Sequence, residues 1–280
     1  MNPAAPGSNR ITVRSPKGLR MRDALQIWEF RHLLWMLVWR DIKVRYRHTT
    51  LGILWFVLQP FILMLIISIG FRFVIPRDVQ GLPYPLYVAS GLVLWTYFAN
   101  GFPAGSTSLE SNAALLNKIA FPHACLPLVP VLTALVDMLA ASLLLVPMLF
   151  YYRAEPSWRI VCLPAILLGM AVFVYGLNLL ASAASAVYKD LRHLIPFTMQ
   201  LMMFASPVFI SPASLHGKMS LLFVLNPFAA YLEAFRWAIF PSSYPPSLVE
   251  VATATAGSLL LFLFGLSYFQ RQQATLVDIL

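Results

Sequence analysis

Long apolar runs separated by short polar connections dominate the chain from residue 51 onward. Six runs reach the ~20 residues that a helix needs to cross a bilayer. They lie at 51–74, 85–103, 126–150, 160–187, 194–212 and 251–269. Pro60 inside the first predicts a kink or local unwinding, with the freed carbonyl satisfied by neighbouring helices. A further segment, LLFVLNPFAAYLEAFRWAIF at 221–240, has the length of a span but carries Asn226, Pro227, Glu233 and Arg236. Polar backbone breaks survive at membrane depth only when buried in protein. The segment therefore reads as part of a re-entrant helical hairpin over 213–248 that enters from the external face, with Asn226-Pro227 at or near its turn. The alternative is an amphipathic helix lying on the membrane surface.

Ahead of the first span, ALQIWEFRHLLWMLVWRDIKVRYR at 24–47 places Trp35, Val38, Trp39, Ile42 and Tyr46 at helical spacing on one side and Arg40, Lys43 and Arg47 on another. That pattern predicts an amphipathic interface helix over 24–50, its Trp residues at headgroup depth and its basic residues toward anionic phosphates. Residues 1–23, rich in Pro, Gly, Ser and Arg, read as a flexible tail without the apolar core of a signal peptide. The first span is then its own insertion signal, and 51–280 form one six-span domain.

With 59% hydrophobic and 11% charged residues, the chain falls into the class of all-α integral membrane proteins. The net charge of +9 does not indicate nucleic acid, because ten of the twenty Lys and Arg sit in residues 1–50. It is an orientation signal. With the N-terminus inside, fourteen basic residues fall on the cytoplasmic side and six outside, which predicts both termini in the cytoplasm. Cys125 and Cys162 lack metal-ligand spacing and read as packing residues.

Catalytic signatures are absent: the chain has no GxxxxGK[ST], HExxH or GxSxG, and its five histidines are scattered. Any energy source must therefore sit on another chain. The densest cluster of positive charge, Arg40, Lys43, Arg45, Arg47 and His48, runs directly into the first span. Such a cluster either orients the chain or grips a phosphate, which guanidinium groups bind bidentately. Asp137 is the one acid well inside a predicted span; it is expected to serve a helix contact or a polar pathway, or to meet a Ser or Asn in the bundle.

RDIKVRYRHTTLGILWFVLQP (40–60) resembles the hallmark of membrane subunits of polysaccharide-exporting ABC transporters, the Wzm-like permeases. Arg40, Asp41, Arg45, Tyr46, Leu51, Gly52, Trp55 and Pro60 are the matching positions. LLNKIAFPHACLP (115–127) is similar to the family's cytoplasmic connection after the second span, and NPFAAYLEAFRWAIF (226–240) to its external segment between the last two spans. The resemblance implies a permease of the bacterial inner membrane that acts in lipopolysaccharide biosynthesis. It would pair with a second copy of itself and with two nucleotide-binding subunits that carry ATP and Mg, and would hold no cofactor of its own. Its cargo would be an undecaprenyl-diphosphate-linked polysaccharide of O-antigen type.

Under that resemblance Arg40, Lys43, Arg45 and Arg47 meet the diphosphate at a cytoplasmic gate. Leu109, Asn112, Leu116, Lys118, Phe121 and Pro122 couple to the ATPase through a short helix, and Asn226, Pro227, Tyr231 and Arg236 form an external re-entrant gate. A sugar chain stacks its C–H faces on aromatic rings, so Trp55, Phe56, Trp95, Tyr97, Phe98 and Phe209 are the pore-lining candidates; aromatics near span ends also form the ordinary interfacial belt. Related cargoes, a capsule glycan, a teichoic acid or a drug, stay open, as does a membrane glycosyl- or phospho-transferase. The last is disfavoured by the lack of an acidic cluster able to hold a divalent cation.

Overall fold

A computed structural model describes residues 28–47, 52, 54–71, 73, 77–116, 121–211, 226–243 and 245–279, with the side chains of Tyr46 and 273–279 excepted. The expected tail, the first arm of the hairpin, His48, Leu51 and Lys118 lie outside the described residues.

Helix α1 (Arg31–Tyr46) precedes α2 (Leu54–Gly70). A two-stranded antiparallel hairpin follows, β1 (Asp78–Val79) and β2 (Leu82–Pro83), and leads into α3 (Tyr84–Ser106). Two single turns, α4 (Ser108–Ser111) and α5 (Ala113–Leu116), connect to α6 (Cys125–Ser142) and α7 (Leu145–Tyr152). A 3-10 turn (Trp158–Cys162) starts α8 (Leu163–Val187), and α9 (Leu191–Phe204), α10 (Pro227–Ile239) and α11 (Leu248–Ile279) complete the described chain. By length and composition, Cys125–Tyr152, Trp158–Val187 and Leu248–Gln272 suffice to cross a membrane; Leu54–Gly70 is apolar but shorter. At 1.5 Å per residue, the 17 residues of α2 extend for about 25 Å and run through Pro60 without leaving the helix.

The centre of the bundle is α3, which packs on α2, α6, α8, α9 and α10. It begins where Pro83 and Pro85 supply preset φ values at a helix start. The hairpin before it turns at Gln80 (φ 54°) and Gly81 (φ 75°), both left-handed as a two-residue antiparallel turn requires. Three helices are clasped by Asn178 of α8, whose Nδ2 donates to the carbonyls of Gly101 in α3 (3.2 Å) and Pro127 in α6 (3.1 Å). A Cβ on Gly105 would overlap that amide at 2.0 Å, so glycine is what admits it. Elsewhere α8 and α11 cross almost backbone to backbone, because a Cβ on Gly265 would lie 2.6 Å from the carbonyl oxygen of Gly176. Small residues allow such close approach where burial from water supplies no drive between helices.

At the position expected at or near the turn of the hairpin, Asn226 and Pro227 form a helix start. The Asn226 side chain accepts from the Phe228 amide (3.1 Å) as N-cap, and Pro227 occupies the first helical position.

Candidate functional site

Helix α1 docks on α6 through Leu34, Leu37 and Val38, which are buried. Trp35 and Trp39 turn outward and stack with centroids 6.3 Å apart, and Lys43 Nζ stands 5.3 Å from the Trp39 ring. The single apolar side expected from sequence is thus two stripes. Val38 and Ile42 face protein, whereas the Trp pair is exposed.

The basic cluster divides in the same way. Arg45 turns inward, and its Nη1 pairs with the Asp137 carboxylate, which also accepts from Asn100 Nδ2 of α3 at 3.1 Å. Asp137 is 1% exposed and the Arg45 side chain 36%. A bare carboxylate at that depth would be expensive, and the two donors compensate it. Helix contact and Asn hydrogen bond, set out as alternatives from sequence, are therefore both realised. Arg40 donates from Nε and Nη2 to Asp41 Oδ1 (2.9 and 2.7 Å) and from Nη2 to Asn112 Oδ1 (2.8 Å). Arg47 stays exposed at the end of α1. Arg40, Asp41, Arg45, Asn112 and Thr133 border a polar cavity of about 230 Å³ between α1, α4 and α6.

The connection after α3 differs from its expected form. It holds two separate turns broken at Asn112 instead of one short helix. Leu109 is 1% exposed and Phe121 is buried, so both pack into the bundle and present no side chain to a partner. Asn112 is engaged by Arg40, whereas Ser111 and Ala114 are the exposed positions. Glu110 forms an ion pair with Arg192 at the start of α9, so this connection is fastened to α1 on one side and to α9 on the other. Leu116 and Pro122 are half-buried. Burial holds the His123 imidazole below its ordinary pKa, so it is neutral at pH 7.

At the hairpin end the dominant feature is Arg236 of α10, which is fully buried. Its Nε donates to Ser90 Oγ (3.2 Å) and its Nη1 to Pro207 O (2.7 Å) and Glu233 Oε1 (2.9 Å). Nη2 donates to Tyr87 O and Val208 O, both at 3.1 Å. All five guanidinium donors are used, and the carbon centre sits 3.6 Å from the Tyr87 ring centroid. A Cβ on Gly91 would stand 2.7 Å from Nη2 and 2.9 Å from Val208 O, so this glycine makes room for the charge. Glu233 also accepts from Gln80 Nε2 (3.0 Å), which in turn reaches Ser211 Oγ (2.9 Å). The left-handed turn residue is thereby tied to α10. Tyr231 shares a hydrogen bond with Ser258 of α11 (3.0 Å), and Asn226 Nδ2 reaches Ser206 Oγ (3.4 Å).

The aromatic positions need correcting. Trp95, Tyr97, Phe98 and Phe209 are all buried inside the protomer, where Trp95 and Phe98 pack against Phe228 at 5.4 and 5.2 Å between centroids. These rings are core: Trp95, Tyr97 and Phe98 lie on α3, which other helices surround, and Phe209 is buried in the turns after α9. Of the six, Trp55 is half exposed and Phe56 partly so, both on α2. Sequence reasoning missed Gln80, Tyr87, Ser90, Gly91 and Asn100. The available signal was the charge itself: Arg236 and Asp137 within apolar helices demanded acceptors and donors, and α3 carries Ser90, Thr96 and Asn100 among its apolar residues. Among the described residues no group of three His, Cys, Asp or Glu is placed to hold a metal.

Comparison with known proteins adds family relationships. The profile of the ABC-2 type transporter family matches residues 32–240. The chain is 28% identical over 255 residues to the O-antigen export system permease protein RfbA of Myxococcus xanthus, covering 90% of this chain and 97% of the relative. It is 26% identical over 252 residues to the RfbA protein of Klebsiella pneumoniae, covering 89% and 95%. Identity to the polysialic acid transport protein KpsM of Escherichia coli is 21% over 248 residues, covering 85% and 93%.

Two expectations follow from the buried charges. Arg236→Lys keeps the charge but supplies three donors where five are used, so at least two acceptors lose a partner at about 1–3 kcal/mol each. Thermal unfolding in detergent should fall clearly below wild type, and a melting temperature unchanged within error would contradict the account. At the other site, Arg45→Ala leaves the buried Asp137 without its cationic partner and should cost about 1–3 kcal/mol, since Asn100 still donates to it and Arg45 is one-third exposed. Asp137→Asn added to it should recover much of that loss. Simple additivity of the two substitutions would show that the pair contributes nothing.

Proposed function

Because the chain belongs to the ABC-2 type transporter family, we propose that it is the transport subunit of an ATP-driven exporter of lipid-linked polysaccharide, of the O-antigen type. The observation that carries this reading is the near full-length match to O-antigen export permeases. The lower identity to a capsule polymer transporter makes capsule glycan the second choice. The family and the permease relatives support a transport role.

In this reading two copies enclose the path and two separate nucleotide-binding subunits dock on the α1 side. The chain makes six spans in the bacterial inner membrane, with both termini and α1 cytoplasmic. The segment ending in α10 dips back from the external face as the second arm of a re-entrant hairpin. The turns at 108–116 receive force from the ATPase, and their ties to Arg40 and Arg192 supply routes onward to α1 and α9.

Recognition of a lipid-linked diphosphate is assigned to the outward cations of α1. Arg47 is exposed and Lys43 lies over Trp39, whereas Arg45 already serves Asp137 and Arg40 serves Asp41 and Asn112. A diphosphate arriving along the leaflet would meet Arg47 first and could then recruit the part-exposed Arg45 at the cavity mouth. Guanidinium binds such a group through two parallel hydrogen bonds that an ammonium cannot reproduce.

The test is complementation in a strain that lacks its own permease but makes the glycan and the ATPase. Wild-type chain should restore surface polysaccharide. Arg47→Lys at equal membrane level should reduce it severalfold, although the positive-inside signal is unchanged. Failure of wild type to restore export would reject the function. Restoration by wild type together with full export in the Arg40, Arg45 and Arg47 to Lys variants would reject bidentate recognition alone.

A further inference from the structure

A second cavity, apart from the polar one beside Arg45, has no place in the reading above. It is a groove of about 860 Å³ between α2, α7 and the hairpin, open on one side. On α2 its wall runs from Phe61 to Ile69; eight residues at 1.5 Å each make it about 12 Å long. That is close to one leaflet, about half of the ~30 Å hydrocarbon core.

The groove changes character along this length. Its apolar part is floored by the buried Met64 and Met148 and flanked by the more exposed Phe61 and Leu65. Toward the hairpin come two hydroxyls, Ser68 Oγ and Tyr84 Oη, which are buried and have no hydrogen-bond partner among the described residues. Tyr84 as a whole is 4% exposed. Buried hydroxyls without partners are costly, and two in one groove call for acceptors at that level. At the outer rim stand Arg77 and Asp78, adjacent, exposed and forming no ion pair among the described residues.

We infer that this groove is a binding site for a zwitterionic glycerophospholipid of phosphatidylethanolamine type. Its acyl chain fills the apolar part, and its ester carbonyls accept from Ser68 and Tyr84 once these buried hydroxyls turn toward the groove. Arg77 holds the phosphate and Asp78 the ammonium. The order of chemistry along the groove is that of the lipid itself: hydrocarbon, ester, charged headgroup. A polyprenyl diphosphate fits it poorly, since it has no ester carbonyl and would bring a multiply charged anion against Asp78. Occupancy by this lipid would brace α2 against α7 at the hairpin end. The inference does not depend on the cargo.

The test uses the full-length chain purified in detergent and titrated with phosphatidylethanolamine or phosphatidylglycerol of identical acyl chains, with bound lipid counted by native mass spectrometry. Wild type should retain phosphatidylethanolamine at least threefold better. Asp78→Asn should abolish that preference, because only the ammonium distinguishes the two headgroups at this position. Tyr84→Phe and Ser68→Ala should lower retention of both lipids, with unfolding temperatures showing that the chain is folded. Equal retention of the two lipids by wild type, or a preference that survives Asp78→Asn, would overturn the assignment. So would efficient disulfide formation between two Ser68→Cys copies, which would place protein over the groove.

Discussion

A positive charge inside an apolar helix bundle must bring its partners with it, and the half of this protein around Arg236 is organised by that requirement. Five donors on one guanidinium fix the positions of Tyr87, Ser90, Pro207, Val208 and Glu233. These residues belong to α3, to the turns after α9 and to α10, so satisfying one side chain determines how three elements meet. Glu233 passes the constraint to Gln80 and hence to the hairpin. A bare charge in this position could not be tolerated, and the alternative to this arrangement is an unfolded segment rather than a looser one.

The same physics acts with opposite sign in the other half of α3. Asp137 is the buried anion there, and Asn100 and Arg45 are its partners. Helix α1 is consequently more than an interfacial float: one of its cations is committed to the bundle interior, and Arg40 is committed to the connection after α3. In the proposed reading, a helix tied to both the bundle and the connecting turns would transmit movement between the ATPase and the pathway. Since the Arg45 side chain is still one-third exposed, an arriving phosphate can compete with Asp137 for it. In this reading, substrate arrival and the packing of α1 are coupled through one guanidinium.

Much of the architecture was legible because hydrophobic length is a strong signal. Four of the six apolar runs coincide with helices or pairs of helices within a few residues; the fifth run is a helix only to Phe204 before it breaks into turns, and the helix of the sixth runs on to Ile279. The basic cluster and Asp137 were visible as anomalies of charge. Their mutual pairing was not, because 92 residues separate Arg45 from Asp137 and no local spacing encodes such contacts. The burial of Trp95, Tyr97 and Phe98 was hidden for a related reason: aromatic residues have the same composition signature whether a helix is peripheral or central, and only packing shows that α3 is central. The Asn226-Pro227 pair was legible as a break in the chain, and the structure resolves it as a capped helix start.

The account stands most directly on directional transport. The chain and its ATPase would be reconstituted into liposomes with fluorescently labelled lipid-linked polysaccharide on the ATP-accessible side. Protection of the glycan from an added glycosidase would then be followed with time. The account predicts protection that requires ATP and is lost when this chain is omitted or the ATPase is inactivated. Protection that proceeds equally without ATP, or none with an active complex, would contradict it.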